Sequence, residues 1–173
     1  MSETRARGSV APASDLRISG YAVTWEPYTM GADSWERIDR NAFDAALETP
    51  EDVALLWNHD TSKPMARVRA GNLRIYADDV GLGFEATLPD TAVSRDAVSL
   101  IRSGVVSQCS FGFHVRGERY EKAPDGKPLR VITDANLVEL SVVTFPANPA
   151  TSVQARDAAQ PPKRKRYYLP PEM

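Results

Sequence analysis

Cysteine and histidine are the scarcest chemistry-bearing residues in this chain: of 173 residues, one is Cys and two are His. The single thiol, Cys109, excludes an internal disulfide and fits a reducing compartment. The two histidines, His59 and His114, do not lie one helical turn apart, so a metal site built from His59, Asp60 and His114 has no supporting spacing. Neither a metal nor any other cofactor is expected. No apolar run approaches the roughly 20 residues that span a bilayer, and no apolar signal-peptide core follows the first residues, which points away from membranes and toward a cytoplasm. A net charge of −2, from 21 basic and 23 acidic residues, gives no overall attraction to nucleic acid or anionic lipid. Internal repeats are also missing.

What is present suits one domain. The length matches a single hydrophobic core, and 42% apolar with 25% charged residues supports dense packing. Residues 1–14 hold almost no large apolar groups and read as a flexible arm. The domain is expected over residues 15–154. A tail over 155–173 carries the basic block Lys163-Arg164-Lys165-Arg166 and prolines at 161, 162, 170 and 171. Between arm and tail the pattern is dominated by strands. Leu16 to Trp25 reads as a first strand with a bulge or bend at Gly20. Tyr28 to Ile38 is a loop or hairpin, and Asn41 to Glu48 a short capped helix closed by Thr49-Pro50. Val53 to Trp57 is a continuous apolar strand running into the polar Asn58-His59-Asp60. Three short strands follow over 66–69, 73–77 and 82–88. Ala92 to Ser103 has helical apolar spacing behind the cap-like Thr91 and stops at Gly104. A strand is expected over 105–115, then a polar hairpin with its turn near Pro124-Asp125-Gly126-Lys127, and a last strand over 136–145.

Three polar residues sit in apolar, strand-rich settings: His59, Ser110 within Cys109-Ser110-Phe111-Gly112-Phe113, and Glu139 within Leu137-Val138-Glu139-Leu140. A serine hydroxyl, an imidazole and a carboxylate are the parts of a nucleophilic hydrolase, because the hydroxyl needs a base and the base needs an orienting group. Each residue also has a plain structural account. Ser110 can be a strand hydroxyl bonded to backbone, His59 a satisfied histidine at a strand end, and Glu139 a strand carboxylate paired with an Arg. Cys109 is the stronger nucleophile, but it points to the opposite face from Ser110, as does Ser107, and reads as a small buried hydrophobe. His114 is four residues from Ser110, about 13 Å along a strand, too far to be its base. Phe111 and Phe113 read as core aromatics.

In order and spacing, Gly20-Tyr21-Ala22-Val23, Leu55-Leu56-Trp57-Asn58-His59-Asp60, Gly81-Leu82-Gly83-Phe84, Gly104, Ser110-Phe111-Gly112-Phe113 and Leu137 to Asn148 resemble the prohead proteases of tailed phages, the HK97-type capsid maturation family. The resemblance covers about Ile18 to Val153. It implies a mainly β (α+β) fold, a partly open β-barrel of the herpesvirus-assemblin type wrapped by short helices. It implies a serine endopeptidase with Ser110 as nucleophile, His59 as base and Glu139 as third member, where assemblins use a second His; Ser141 shares the face of Glu139. Backbone N–H groups near Pro146-Ala147-Asn148 would form the oxyanion hole. The implied substrates are the scaffolding segment of the major capsid protein, or a separate scaffold, and the protease itself, cut before Ser14 or after Ala155. Portal contact and self-association follow from the same setting, inside the assembling prohead in the host bacterial cytoplasm, with no specific nucleic-acid or membrane partner. The alternative is a non-catalytic capsid-assembly or scaffold-binding module on the same fold.

Overall fold

The computed structural model of the chain describes residues 16–48, 52–156 and 166–167. The expected arm lies outside these residues, as do Thr49-Pro50 and, in the expected tail, residues 157–165 and 168–173. Among the described residues there are eleven strands and two short helices: β1 (Arg17–Thr24), β2 (Tyr28–Met30), β3 (Ser34–Ile38), α1 (Asp44–Glu48), β4 (Ala54–Trp57), β5 (Asp60–Arg67), β6 (Leu73–Ala77), β7 (Gly81–Thr87), α2 (Ala92–Arg102), β8 (Gln108–Lys122), β9 (Pro128–Val143), β10 (Ser152–Arg156) and β11 (Arg166–Tyr167). The mainly β character with short helices is as expected. The strands form two sheets and no closed barrel: β10-β1-β7-β6-β11, and β2-β3-β9-β4-β5 with β8 paired to β9. Neither described helix is long and apolar enough to cross a membrane.

The second sheet is built on β9. β8 runs antiparallel along one edge of β9, and the other edge is shared in tandem by two parallel partners, β3 at residues 129–132 and β4 at residues 139–142. The main core lies between the sheets, with Ile18, Leu82 and Phe84 from one and Leu55, Leu140 and Val142 from the other, all at 0–1% exposure. Each such side chain contributes about 1.5–3 kcal/mol by leaving water. α2 closes the core with Ala97, Val98 and Ile101. Its start is fixed by Thr91, whose hydroxyl accepts from the Ser94 N–H at 3.2 Å, and its end by Gly104 at φ +75°, a left-handed position that disfavours a side chain.

Several expected boundaries move, each for a physical reason. The bulge in β1 falls between Tyr21 and Val23 rather than at Gly20. β5 begins directly after His59, well before the expected Ala66. It tolerates Pro64 because it is the edge strand of its sheet, where a missing N–H breaks no ladder bond. The strand expected over 105–115 starts at Gln108 and continues to Lys122, and its partner starts at Pro128 and ends at Val143. The outer part of this hairpin pairs through charges, Arg130 with Glu118 at 2.5 Å and Arg116 with Asp134 at 2.9 Å. Leu129 and Val131 alternate with these charges and pack with Ala123 and Trp35 in a small second cluster. Arg166 and Tyr167 pair with Ala77 and Tyr76 on the edge of the first sheet.

Candidate active site

The site forms where β4, β9 and β8 lie side by side. β4 ends at Trp57 and β5 begins at Asp60, with Trp57 and Asp60 in register, so Asn58 and His59 are the whole of a two-residue hairpin loop. Both have positive φ, 53° and 60°, the signature of a type I′ turn. The second position of such a turn usually falls to glycine, and a side chain there costs roughly 1–2 kcal/mol. Holding an imidazole at that position is a feature the fold sustains with two bonds from β9: the Asn58 N–H donates to the Val142 carbonyl at 2.8 Å, and the His59 N–H donates to Ser141 Oγ at 3.1 Å.

The ring then meets Glu139, whose Oε1 lies 2.6 Å from His59 Nδ1. A carboxylate only accepts, so Nδ1 carries a proton, and in the neutral ring the lone pair is on Nε2. The other carboxylate oxygen, Oε2, accepts from the Ser141 hydroxyl at 2.6 Å. Ser141 is fully buried, Glu139 is 15% exposed and His59 is half exposed, so the acid is shielded while the base faces outward. Ser141 thus ties the backbone of the turn to the acid through one hydroxyl.

Ser110 lies on β8 directly across from Ser141, and Gly112 directly across from Glu139. Opposite residues of an antiparallel pair share a face with Cβ atoms about 4.5–5.5 Å apart, which places the Ser110 side chain on the face that carries Glu139, Ser141 and the imidazole. Its Oγ has no hydrogen-bond partner among the described residues. Gly112 leaves the space that Glu139 fills: a Cβ added there would stand 2.9 Å from Glu139 Oε1 and 3.1 Å from its Cγ.

A β-bulge borders this face. Gly112 pairs with Glu139 and Phe113 with Leu137, which leaves Val138 as an unpaired, 41% exposed extra residue. Leu137, Leu140 and Val142 all reach the core. An unbroken two-residue alternation cannot bury both Leu137 and Leu140, and the extra residue resolves the conflict by returning Leu137 to the core face, while Glu139 and Ser141, two residues apart, stay together on the other. The three-residue spacing of the two leucines is the sequence signal for that bulge. The roles of Ser141 as a double bridge and of Gly112 as a space-maker carry no comparable signal, because both depend on cross-strand register.

Cys109 is fully buried on the opposite face, with burial pushing its thiol pKa up; its N–H donates to Thr151 Oγ1 at 3.2 Å, and its carbonyl accepts from the same hydroxyl at 2.6 Å. A neutral buried thiol is no nucleophile. Phe111 and Phe113 stack at 4.7 Å against the main core. His114 is exposed and pairs in register with Asn136, four residues along β8 from Ser110. Asp60 turns back on its own hairpin: the Ser62 hydroxyl and N–H and the Lys63 ammonium hold its carboxyl down at about 2. Among the described residues no group of three His, Cys, Asp or Glu is placed to hold a metal ion.

The family model described as caudovirus prohead serine protease matches residues 2–164. No curated protein matches the chain.

Proposed function

The chain belongs to the caudovirus prohead serine protease family, and from that premise we propose that it is a serine endopeptidase in which Ser110 is the nucleophile, His59 the general base and Glu139 the orienting acid. The observation that carries the assignment is the 2.6 Å contact of His59 Nδ1 with Glu139, set on the same sheet face as Ser110. His59 Nε2 takes the proton from Ser110 Oγ as the oxygen attacks a peptide carbonyl, and Glu139 stabilises the imidazolium that results. The imidazolium then protonates the leaving amine, and a water deprotonated by the same nitrogen releases the acyl group from Ser110. Backbone N–H groups of the segment around Ala147 and Asn148, whose side chains share a cavity with Ser110, are the proposed oxyanion donors.

As a capsid maturation protease, its substrate is an extended polypeptide: the scaffolding segment of the major capsid protein, or a separate scaffold, within the assembling prohead in the host cytoplasm. Its own termini, before Ser14 and after Ala155, are proposed self-cleavage sites, and portal contact and self-association accompany packing into the shell. The two sheets are proposed to correspond to an opened barrel of the assemblin kind. Co-expression with the cognate capsid precursor tests this reading. Wild type yields truncated capsid protein, and Ser110→Ala yields none while keeping the same melting temperature. Equal processing by Ser110→Ala refutes the nucleophile. Absence of processing in both, with assembly intact, makes the chain a non-catalytic assembly module.

A further inference from the structure

Beside Ser110 lies a cavity of about 260 Å³ whose walls include Met30, Phe111 and Phe113, and whose polar groups include Tyr28, Glu36 and Arg130. Burying a carboxylate there is costly unless it is paired. Glu36, 4% exposed, is paired twice: Tyr28 donates its hydroxyl to Oε1, and Arg130 Nη1 donates to Oε2 at 3.1 Å. Arg130 in turn donates through Nε and Nη2 to Glu118, at 2.8 and 2.5 Å. A guanidinium has five N–H groups and a carboxylate about four acceptor positions. The pair in the cavity therefore keeps both spare donors and spare acceptors side by side, with the guanidinium shared between Glu36 and Glu118.

The cavity also adjoins an open strand edge. Among the described strands β8 pairs only with β9. The outward N–H and C=O of Cys109 are taken by Thr151. Those of Phe111 and Phe113, two and four residues on, point the same way and have no backbone partner among the described residues. An extended peptide can join this edge as an added strand, and its side chains then alternate between the face of Ser110 and the face of the two phenylalanines.

We infer that the cavity is a specificity subsite for a neutral carboxamide side chain, Gln or Asn, placed close to the scissile bond; this rests on the proposed endopeptidase function. A carboxamide offers an N–H₂ to Glu36 and a carbonyl to Arg130 at once. A cation in its place meets the Arg130 guanidinium, and an anion meets the Glu36 carboxylate. An apolar side chain gives the spare donor and acceptor positions no partner, and sites built for hydrogen bonding reject apolar analogues for that reason.

The test uses the full-length Ser110→Ala chain and fluorescein-labelled extended dodecapeptides of Ala, Ser and Gly in which one Gln is walked along the sequence. Fluorescence anisotropy should find a position where Gln binds at least tenfold tighter than Leu, Glu or Lys. Adding Glu36→Gln should bring the four within about twofold of one another, which follows from losing one half of the donor–acceptor pair. Ala147→Trp, at an exposed residue lining the cavity, should abolish the preference without touching the core. Absence of binding, equal binding of the four peptides, or tighter binding of the Glu or Lys peptide overturns the inference. Ser110-dependent cleavage by the wild-type chain without such a preference removes the subsite and leaves the enzyme. A Gln preference in binding without any cleavage removes the enzyme and leaves the subsite.

Discussion

A single methyl group placed at Gly112 should separate the chemistry of the site from the stability of the fold. In Gly112→Ala the new Cβ stands 2.9 Å from Glu139 Oε1, the same oxygen that meets His59 Nδ1 at 2.6 Å. Ordinary contact begins near 3.4 Å, so the oxygen must retreat by about 0.5 Å. Because Oε2 is held by Ser141, the retreat lengthens or tilts the bond to the imidazole rather than moving the whole side chain freely. Complete loss of an orienting carboxylate costs about 10⁴ in kcat, and a misplacement of about 1 Å costs up to 10². A half-ångström displacement is therefore expected to lower kcat/KM by about 10- to 100-fold, which is about 1.4–2.7 kcal/mol of transition-state stabilisation. Stability should change little, since Ala gains about 0.5–1 kcal/mol over Gly in a strand and this offsets part of the crowding. The assay pairs kcat/KM on a fluorogenic peptide of the capsid precursor with thermal unfolding of each variant. A double-mutant cycle with Glu139→Gln adds the decisive control, because the Ala substitution should cost at most twofold once the carboxylate is gone. Activity of Gly112→Ala within twofold of wild type, or full additivity with Glu139→Gln, refutes the reasoning.

Three further outcomes follow from the same geometry. Ser141→Ala removes a short charge-assisted bond and should lower unfolding stability by about 1.5–3 kcal/mol in urea titrations while reducing kcat, and Ser141→Thr should recover most of both. Because the folded-state pKa of Asp60 is depressed from 3.8 to about 2, its stabilising effect is present above the unfolded value and lost as pH falls through about 2. The melting-temperature gap between wild type and Asp60→Asn should accordingly be constant above about pH 5 and close between pH 4 and 2. Cys109, buried and held neutral, should resist Ellman's reagent in the folded protein and react stoichiometrically in denaturant, and fast labelling under native conditions contradicts its placement.

Local signals carried much of this fold. Thr91 and Gly104 bracket α2 because capping is a property of a few adjacent residues, and Leu73 to Ala77 is bounded by turn residues on both sides. Odd-even counting on β8 separated Ser110 from Cys109, and the structure buries Cys109 and puts Ser110 across from Ser141. What escaped depends on partners distant in sequence. The hairpin turning near Asp125-Gly126 was legible, but not that its arms continue β8 and β9 without a break, since charged pairs carry much of that stretch. The Asn58-His59 loop lacks the glycine that usually marks a type I′ turn, so the hairpin passed for a polar strand end. The bulge at Val138 was visible only as two leucines out of phase. The linkage of His59, Ser141 and Glu139 needs the parallel register of β4 on β9, which no local pattern records.

The tandem arrangement on β9 has a kinetic consequence. His59 and Glu139 are 80 residues apart, and between them the chain builds β5, β6, β7, α2 and β8 before β9 can receive β4. Contacts of such span form late, since the loop-closure entropy must be met before the pairing stabilises anything, and sheets dominated by them fold in about milliseconds to seconds. An emerging or partly collapsed chain holds the histidine turn and the acid on separate, unpaired segments. On the proposed assignment of His59 and Glu139, catalytic competence is a property of the finished sheet, and a newly made molecule is inert toward its neighbours until its last central strand has docked.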